Sequence, residues 1–190
     1  YQTLVPSGTF LGNVLPETAK ITGLSSDCKV SSGGHDHLVG ALIAGATNQG
    51  TLINSMGTAE AVTLFLDKPI YDKAVGSQGY VQGVIVADRP YYYHLGGLFT
   101  SGGAVQWFHR LTKQRYSHEE LIKDAWGLAP GANGVLFLPQ MRVGSPPNPA
   151  EISRGAFIGL GTDTDHTVLY RSMLEGMAFD VKMIVEGISQ

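Results

Sequence analysis

The chain has 190 residues, a length that suits one domain or a domain plus a fragment, and 43% of them are hydrophobic while 15% are charged. This balance is typical of a globular protein with a real core, and the formal net charge of −3 argues against a nucleic-acid partner. Apolar runs such as residues 134–138 are too short to span a bilayer, so we expect no membrane partner. The single cysteine, Cys28, excludes an internal disulfide and favours a reducing, cytoplasmic location.

The first third of the chain predicts short strands and helices that end at glycines. Residues 1–30 indicate extended pieces, with turns near Gly8 and Gly12 and a helix over 16–22 that Gly23 ends. A strand over 29–32 leads into two glycines, and a helix follows over 36–46. Residues 51–66 predict two strands joined by a turn at 56–58.

The rest of the chain continues the alternation of strands and helices. Further strands are predicted over residues 80–88, 91–95, 134–138 (buried) and 156–160 (strand or tight turn). Further helices are predicted over residues 104–113, 117–126 and 165–188. The second of these begins with a capping-box pattern, in which Ser117 is followed three residues later by Glu120. Alternation of this kind indicates an α/β fold.

Asp36 stands where a strand and two glycines run into a helix. A carboxylate at this place is favoured by the helix dipole, and one interpretation is that Asp36 is simply the helix N-cap. The other is a general base that takes a proton from a substrate hydroxyl during phosphoryl transfer. Its neighbours His35 and His37 also suggest a metal site, but adjacent side chains are expected to diverge, so we predict no metal ligands here.

Two glycine turns have the chemistry of phosphate sites. Gly57-Thr58 places a hydroxyl residue directly after a glycine, and such a turn can present N–H groups and a hydroxyl to phosphate oxygens. Gly102-Gly103 directly precedes a helix, whose free N–H groups form a natural anion site. Each turn taken alone is equally typical of an ordinary hairpin or loop. Neither is a Walker A loop, because no Gly-Lys-Ser/Thr follows.

In their order and spacing, these pieces resemble the FGGY family of carbohydrate kinases. The resemblance rests on residues 34–36, 55–60, 101–107, 139–144, 154–160 and 170–176. It implies a ribonuclease H-like α/β fold of the actin, Hsp70 and hexokinase type, in which a mixed sheet is flanked by helices and the lobe is incomplete. It further implies that residues 1–30 are the tail of an N-terminal sugar-binding lobe and that residues 31–190 are a truncated C-terminal nucleotide-binding lobe.

The same resemblance implies roles for individual residues. Asp36 matches the catalytic base, and His37 follows it where some relatives contact the acceptor, although a packed or solvated imidazole is the alternative. Gly57 and Thr58 match the turn that meets the terminal phosphates. Gly102 and Gln106 match nucleotide contacts at the head of the next helix.

The implied activity is transfer of the γ-phosphate of ATP, with Mg²⁺, to a hydroxyl of a small sugar or polyol. A homodimer is considered as a further partner. Because the chain starts at Tyr1 and the resemblance lacks the early phosphate loop, most sugar contacts and the adenine pocket, we expect a piece of a longer protein that is inactive alone. Two other classes stay open: a non-catalytic actin-like regulator, which need not keep Asp36, and a hydrolase, for which a second acid at suitable spacing is lacking.

Overall fold

A computed structural model describes residues 3–149 and 152–189. The first part of the chain forms β1 (Phe10–Asn13), α1 (Pro16–Thr22), β2 (Lys29–Ser31) and α2 (Asp36–Ile43). The predicted bounds of α1 are confirmed: Pro16 suits the first turn, and Gly23 ends the helix with a left-handed φ of 75°. The predicted turn at Gly12 is wrong, because this glycine lies inside β1, where the pairing with β2 shifts register.

The main sheet has four strands in the order β3-β4-β6-β5. They are β3 (Leu52–Met56), β4 (Glu60–Leu66), β5 (Val81–Val86) and β6 (Pro90–Leu98), with a short helix α3 (Lys73–Ser77) between β4 and β5. Every strand pair in the described chain is antiparallel, whereas we expected a mixed sheet. Two of these pairs, β3-β4 and β5-β6, are hairpins with connections of three residues, which are too short for the crossover that parallel pairing needs.

Three helices and two short strands follow the sheet. They are α4 (Gly102–Leu111), α5 (His118–Trp126), β7 (Leu136–Leu138), β8 (Ala156–Ile158) and α6 (His166–Ile188), with a 3₁₀ turn at Ala132–Gly134. The capping box of α5 is confirmed, with Ser117 and Glu120 each bonding the other's backbone N–H. Asp165 caps α6 by accepting the N–H of Val168 at 2.9 Å. No helix in the described chain has the length and apolarity to cross a membrane.

Helix α6 organises the core. Its buried side chains, including Tyr170, Met173 and Ile184, join those of the sheet and of α4 and α5 in one apolar cluster. Gly176 allows α6 to lie directly against β7, because a Cβ at this position would collide with the carbonyl oxygen of Phe137. Asp180 on the same helix is only 4% exposed, and burial raises the pKa of its carboxyl.

Polar residues of α6 also hold a loop in place. Glu175 accepts the N–H of Gly131 with both carboxylate oxygens, at 3.1 and 3.0 Å, and Arg171 donates to it at 2.6 Å. Both side chains of this ion pair are less than one-fifth exposed. The helix therefore fixes the loop before β7 as well as β7 itself.

Candidate functional site

Helix α2 and strand β3 form the two walls of an open cleft of about 370 Å³. Its lining consists of Asp36, His37, Gly40, Ala41, Ala44, Ile53 and Ser55. The residues of β3 that line it are two apart in sequence, as expected when side chains alternate between the faces of a strand. The small residues on α2 leave the space between the two elements open.

Asp36 is the first residue of α2, and its side chain is 83% exposed. The N-cap is His35, so the interpretation of Asp36 as the cap residue is wrong. The Oδ1 atom of Asp36 accepts the backbone N–H of His37 at 2.8 Å, and this hydrogen bond lowers the pKa of the carboxyl. Asp36 therefore presents an ionised carboxylate to the cleft at neutral pH.

His37 is half-buried and is held from the opposite wall of the cleft. Its Nδ1 lies 2.8 Å from the hydroxyl oxygen of Ser55 on β3. This hydrogen bond fixes the imidazole ring, so that Nε2 faces Asp36 at 3.7 Å from Oδ1. The predicted pair of Asp36 and His37 is thus brought together, and Ser55 is the residue that orders it.

His35 closes the group from the other side. Its Nδ1 lies 3.0 Å from Oδ1 of Asp36, and its ring is 5.0 Å from the ring of His37. One ligand atom from each of these three consecutive residues lies within 4.8 Å of the others. We expected the three side chains to diverge, and this is wrong, because the extended backbone at His35 turns sharply into the helix at Asp36.

The turn between β3 and β4 contains Gly57 and Thr58, the two residues predicted to contact the terminal phosphates. Gly57 and Thr58 are exposed at its tip. The turn is closed by a hydrogen bond of 3.0 Å from the N–H of Gly57 to the carbonyl of Ala59. Within the described residues, the N–H groups of Thr58 and Ala59 and the Thr58 hydroxyl have no hydrogen-bond acceptor. The turn therefore has free N–H and hydroxyl groups of the kind that donate hydrogen bonds to phosphate oxygens.

The head of α4 is docked onto this turn. The N–H groups of Gly102 and Gly103 donate to the carbonyls of Gly57 and Thr58, each at 3.0 Å. The approach is so close that a Cβ on Gly102 would lie 2.6 Å from the carbonyl oxygen of Gly57. The free N–H groups that we expected at the head of α4 are therefore engaged within the chain, and a nucleotide contact by Gly102 stays a prediction.

Gln106 lies one helical turn after Gly102, on the same face of α4, and its side chain is exposed. The structure thus forms two groups: Asp36 with His37 in the cleft, and Gly57, Thr58 and Gly102 at the turn. Strand β3 joins them, since Ser55 precedes Gly57 by two residues, or about 7 Å of extended chain.

The parts of the site that depend on packing do not follow from the sequence. In the sequence, Ser55 belongs only to the turn motif over residues 55–60, and His35 is considered only as a metal ligand that should diverge from its neighbours. The available signal for Ser55 was its alternation with Ile53 on a predicted strand, which places both on one face. Which helix meets that face is a long-range contact that alternation does not indicate.

Comparison with known proteins agrees with this architecture. Residues 52–190 match the model of the FGGY family of carbohydrate kinases, C-terminal domain. The chain is 28% identical over 183 residues to the xylulose kinase of Bacillus subtilis, covering 96% of this chain and 36% of that protein. It is also 28% identical to the ribulokinase of Halalkalibacterium halodurans, over 97% of this chain and 34% of that protein.

Solved structures show the same fold. The xylulose kinase of Rhodospirillum rubrum is 25% identical, with a TM-score of 0.71 over 96% of this chain and 36% of that one. The glycerol kinase of Plasmodium falciparum, solved with ADP, is 18% identical and has a TM-score of 0.78 over 97% of this chain and 36% of that one. The expected fold class, an incomplete α/β lobe of the actin-like ATPase type, is confirmed. The chain spans about a third of the length of the relatives it matches. Because the family model covers most of the chain, the chain belongs to the FGGY family of carbohydrate kinases.

Proposed function

We propose that this chain is part of a cytoplasmic ATP-dependent carbohydrate kinase, in which Asp36 is the general base. The observation that supports this most strongly is that one strand, β3, borders the two features such a site needs. An exposed, ionised carboxylate faces the cleft that Ser55 of β3 helps to line, and the turn with free N–H and hydroxyl donors begins two residues after Ser55, or about 7 Å of extended chain. A phosphoryl-transfer site needs both an acceptor for the nucleophile's proton and donors for the phosphate.

In this mechanism, a hydroxyl of the sugar or polyol binds beside Asp36 and donates a hydrogen bond to its carboxylate. As the hydroxyl oxygen bonds to the γ-phosphorus, its proton passes to Asp36, and the bond to the bridging oxygen of ADP breaks. The products are a phosphate ester and ADP. His37, held by Ser55, would bond a second hydroxyl of the acceptor and orient the reacting one.

The residues at the turn fit a nucleotide. Thr58 can offer its N–H and Oγ1 to the terminal phosphate oxygens, and Gly57 leaves the approach free of a side chain. We keep Gly102 and Gln106 as proposed nucleotide contacts at the head of α4. Mg²⁺ supplies neutralising charge and prefers phosphate oxygens with few carboxylates. Asp36 is the one carboxylate that lines the described cleft, so the phosphates themselves would hold most of the ion.

The relatives support the class of substrate. The matched proteins are named xylulose kinase, gluconokinase, ribulokinase and glycerol kinase, all of which phosphorylate small polyhydroxylated acceptors. Because the chain covers 36% of the first relative, we propose that the remaining walls of the site come from elsewhere in a longer protein. On this proposal residues 1–30 end the sugar-binding lobe, residues 31–190 begin the nucleotide-binding lobe, and the chain alone is inactive.

The test is ADP release by the full-length protein with a panel of ketoses and polyols. With the best acceptor, Asp36→Asn should lower kcat by about 10²- to 10⁴-fold, because the proton acceptor is lost. Nucleotide binding should persist, since the turn at Gly57 is untouched. Asp124→Asn is the matched control, as it removes an exposed carboxylate on α5, and its activity should equal that of the wild type.

Near wild-type turnover in Asp36→Asn would refute the assignment of the base. Absence of turnover with every acceptor, together with retained nucleotide and sugar binding, would favour the regulatory module instead.

A further inference from the structure

We propose that His35, Asp36 and His37 bind a divalent transition-metal ion such as Zn²⁺ at the mouth of the cleft. Two imidazoles and a carboxylate are a ligand set that Zn²⁺ and related ions accept readily. The three side chains come from consecutive residues, and their convergence is a property of the fold rather than of the sequence spacing.

The distances fit metal coordination. In a tetrahedral site with metal–ligand bonds of about 2.0–2.1 Å, ligand atoms are separated by roughly 3.3 Å. Here Nδ1 of His35 lies 3.0 Å from Oδ1 of Asp36, and Nε2 of His37 lies 3.7 Å from the same oxygen. One ligand atom from each of the three residues lies within 4.8 Å of the others, and the exposed His35 side chain has room to adjust its ring to an ion.

A hydrogen bond outside the ligand set supports the same site. His ligands commonly donate their second ring N–H to a polar group, which fixes both the tautomer and the ring orientation. Ser55 takes this role for His37, because its hydroxyl oxygen lies 2.8 Å from Nδ1. With the proton on Nδ1, the Nε2 lone pair points toward Asp36 and is available to a metal.

The site would select against Mg²⁺. Imidazole nitrogen favours zinc, nickel and copper, whereas Mg²⁺ prefers oxygen ligands in octahedral geometry. The ion proposed here is therefore distinct from the Mg²⁺ that accompanies ATP. Since it would bond the oxygen of Asp36, its presence would block the base. This consequence rests on the proposed function, whereas the binding of the ion does not.

The first experiment measures Zn²⁺ binding to the full-length protein by calorimetry in millimolar Mg²⁺, without substrate. His35→Asn and His37→Asn should each weaken the affinity by more than about tenfold, and Ser55→Ala by about 10- to 100-fold through loss of ring orientation. His118→Asn is the matched control: His118 stacks on His109 at 4.3 Å between ring centroids, yet the described residues offer no third ligand there. Its affinity should equal that of the wild type.

Unchanged affinity in both His35→Asn and His37→Asn, or displacement of Zn²⁺ by Mg²⁺, would overturn the metal site.

The second experiment measures turnover with increasing Zn²⁺. Inhibition by Zn²⁺ should be competitive with the sugar or polyol. The Zn²⁺ concentration that halves the uninhibited rate of each protein should be at least tenfold higher for His35→Asn than for the wild type. Equal inhibition of His35→Asn and wild type would overturn the link to Asp36. Because binding is measured without turnover, failure of the kinase proposal would leave the first result interpretable.

Discussion

Gly102→Ala should damage the phosphate turn from outside it. The new Cβ would lie 2.6 Å from the carbonyl oxygen of Gly57, and real Cβ atoms essentially never come within 3.0 Å of such a neighbour. The colliding atom belongs to the backbone, which cannot rotate away as a side chain would. The turn must therefore move by at least 0.4 Å relative to α4.

This movement weakens two hydrogen bonds at once, those from Gly102 and Gly103 to the carbonyls of Gly57 and Thr58. Each contributes about 1 kcal/mol net, and overpacking in a tight contact costs about 1–3 kcal/mol. We therefore expect a loss of about 2–4 kcal/mol in the free energy of unfolding, and a raised KM for ATP because the donors of Thr58 are displaced.

Urea denaturation of the full-length protein measures the first effect, and turnover at varied ATP measures the second. Gly76→Ala on α3 is the matched control: its Cβ would meet nothing within 4 Å, so it should be neutral or stabilise by up to about 1 kcal/mol. Gly103→Ala, with a nearest contact of 3.3 Å, should fall between the two. Equal urea midpoints for Gly102→Ala and Gly76→Ala would refute the docking of α4 on the turn.

Two further predictions concern α6. Glu175→Gln should lower the free energy of unfolding by about 1–3 kcal/mol, because Arg171 loses a charged partner whose side chain is less than one-fifth exposed. Glu186→Gln, in the exposed pair with Lys182, should change the free energy of unfolding by less than about 0.5 kcal/mol. Similar urea midpoints for the two variants would contradict the role of the Glu175 bonds. For Asp180, burial raises the folded-state pKa above the ordinary 3.8, so the unfolded state releases its proton first and stability falls as pH rises through this interval. Asp180→Asn should therefore flatten the dependence of the unfolding free energy on pH above 3.8. An unchanged pH profile would show that the Asp180 carboxyl does not cause this dependence.

Much of the fold could be predicted where local chemistry decides the element. Helix α1 has Pro16 at its start and Gly23 at its end, and α5 carries a reciprocal capping box, so their bounds follow from a few residues. The sequence does not predict helix α3, because five residues that include Gly76 show no apolar period, although Asp72 does cap the helix.

Burial was harder to predict than secondary structure. The apolar run over residues 134–138 predicts a buried strand, yet in β7 Leu136 and Leu138 are about half exposed and only Phe137 between them is buried. A run of apolar residues does not reveal that just one face of the strand meets α6. The same holds for the site: the order of motifs indicated Asp36 and the turn, whereas the bond from His37 to Ser55 depends on how α2 lies across β3.

Strand β3 sets a constraint on chain length as well as on residue type. Ser55 faces the cleft and Gly57 begins the turn, and the two are separated by a single residue, Met56. One inserted residue would lengthen this step by about 3.3 Å and would turn Ser55 or its replacement to the opposite face of the sheet. Exposed Met56 can therefore vary in identity far more freely than the segment can vary in length.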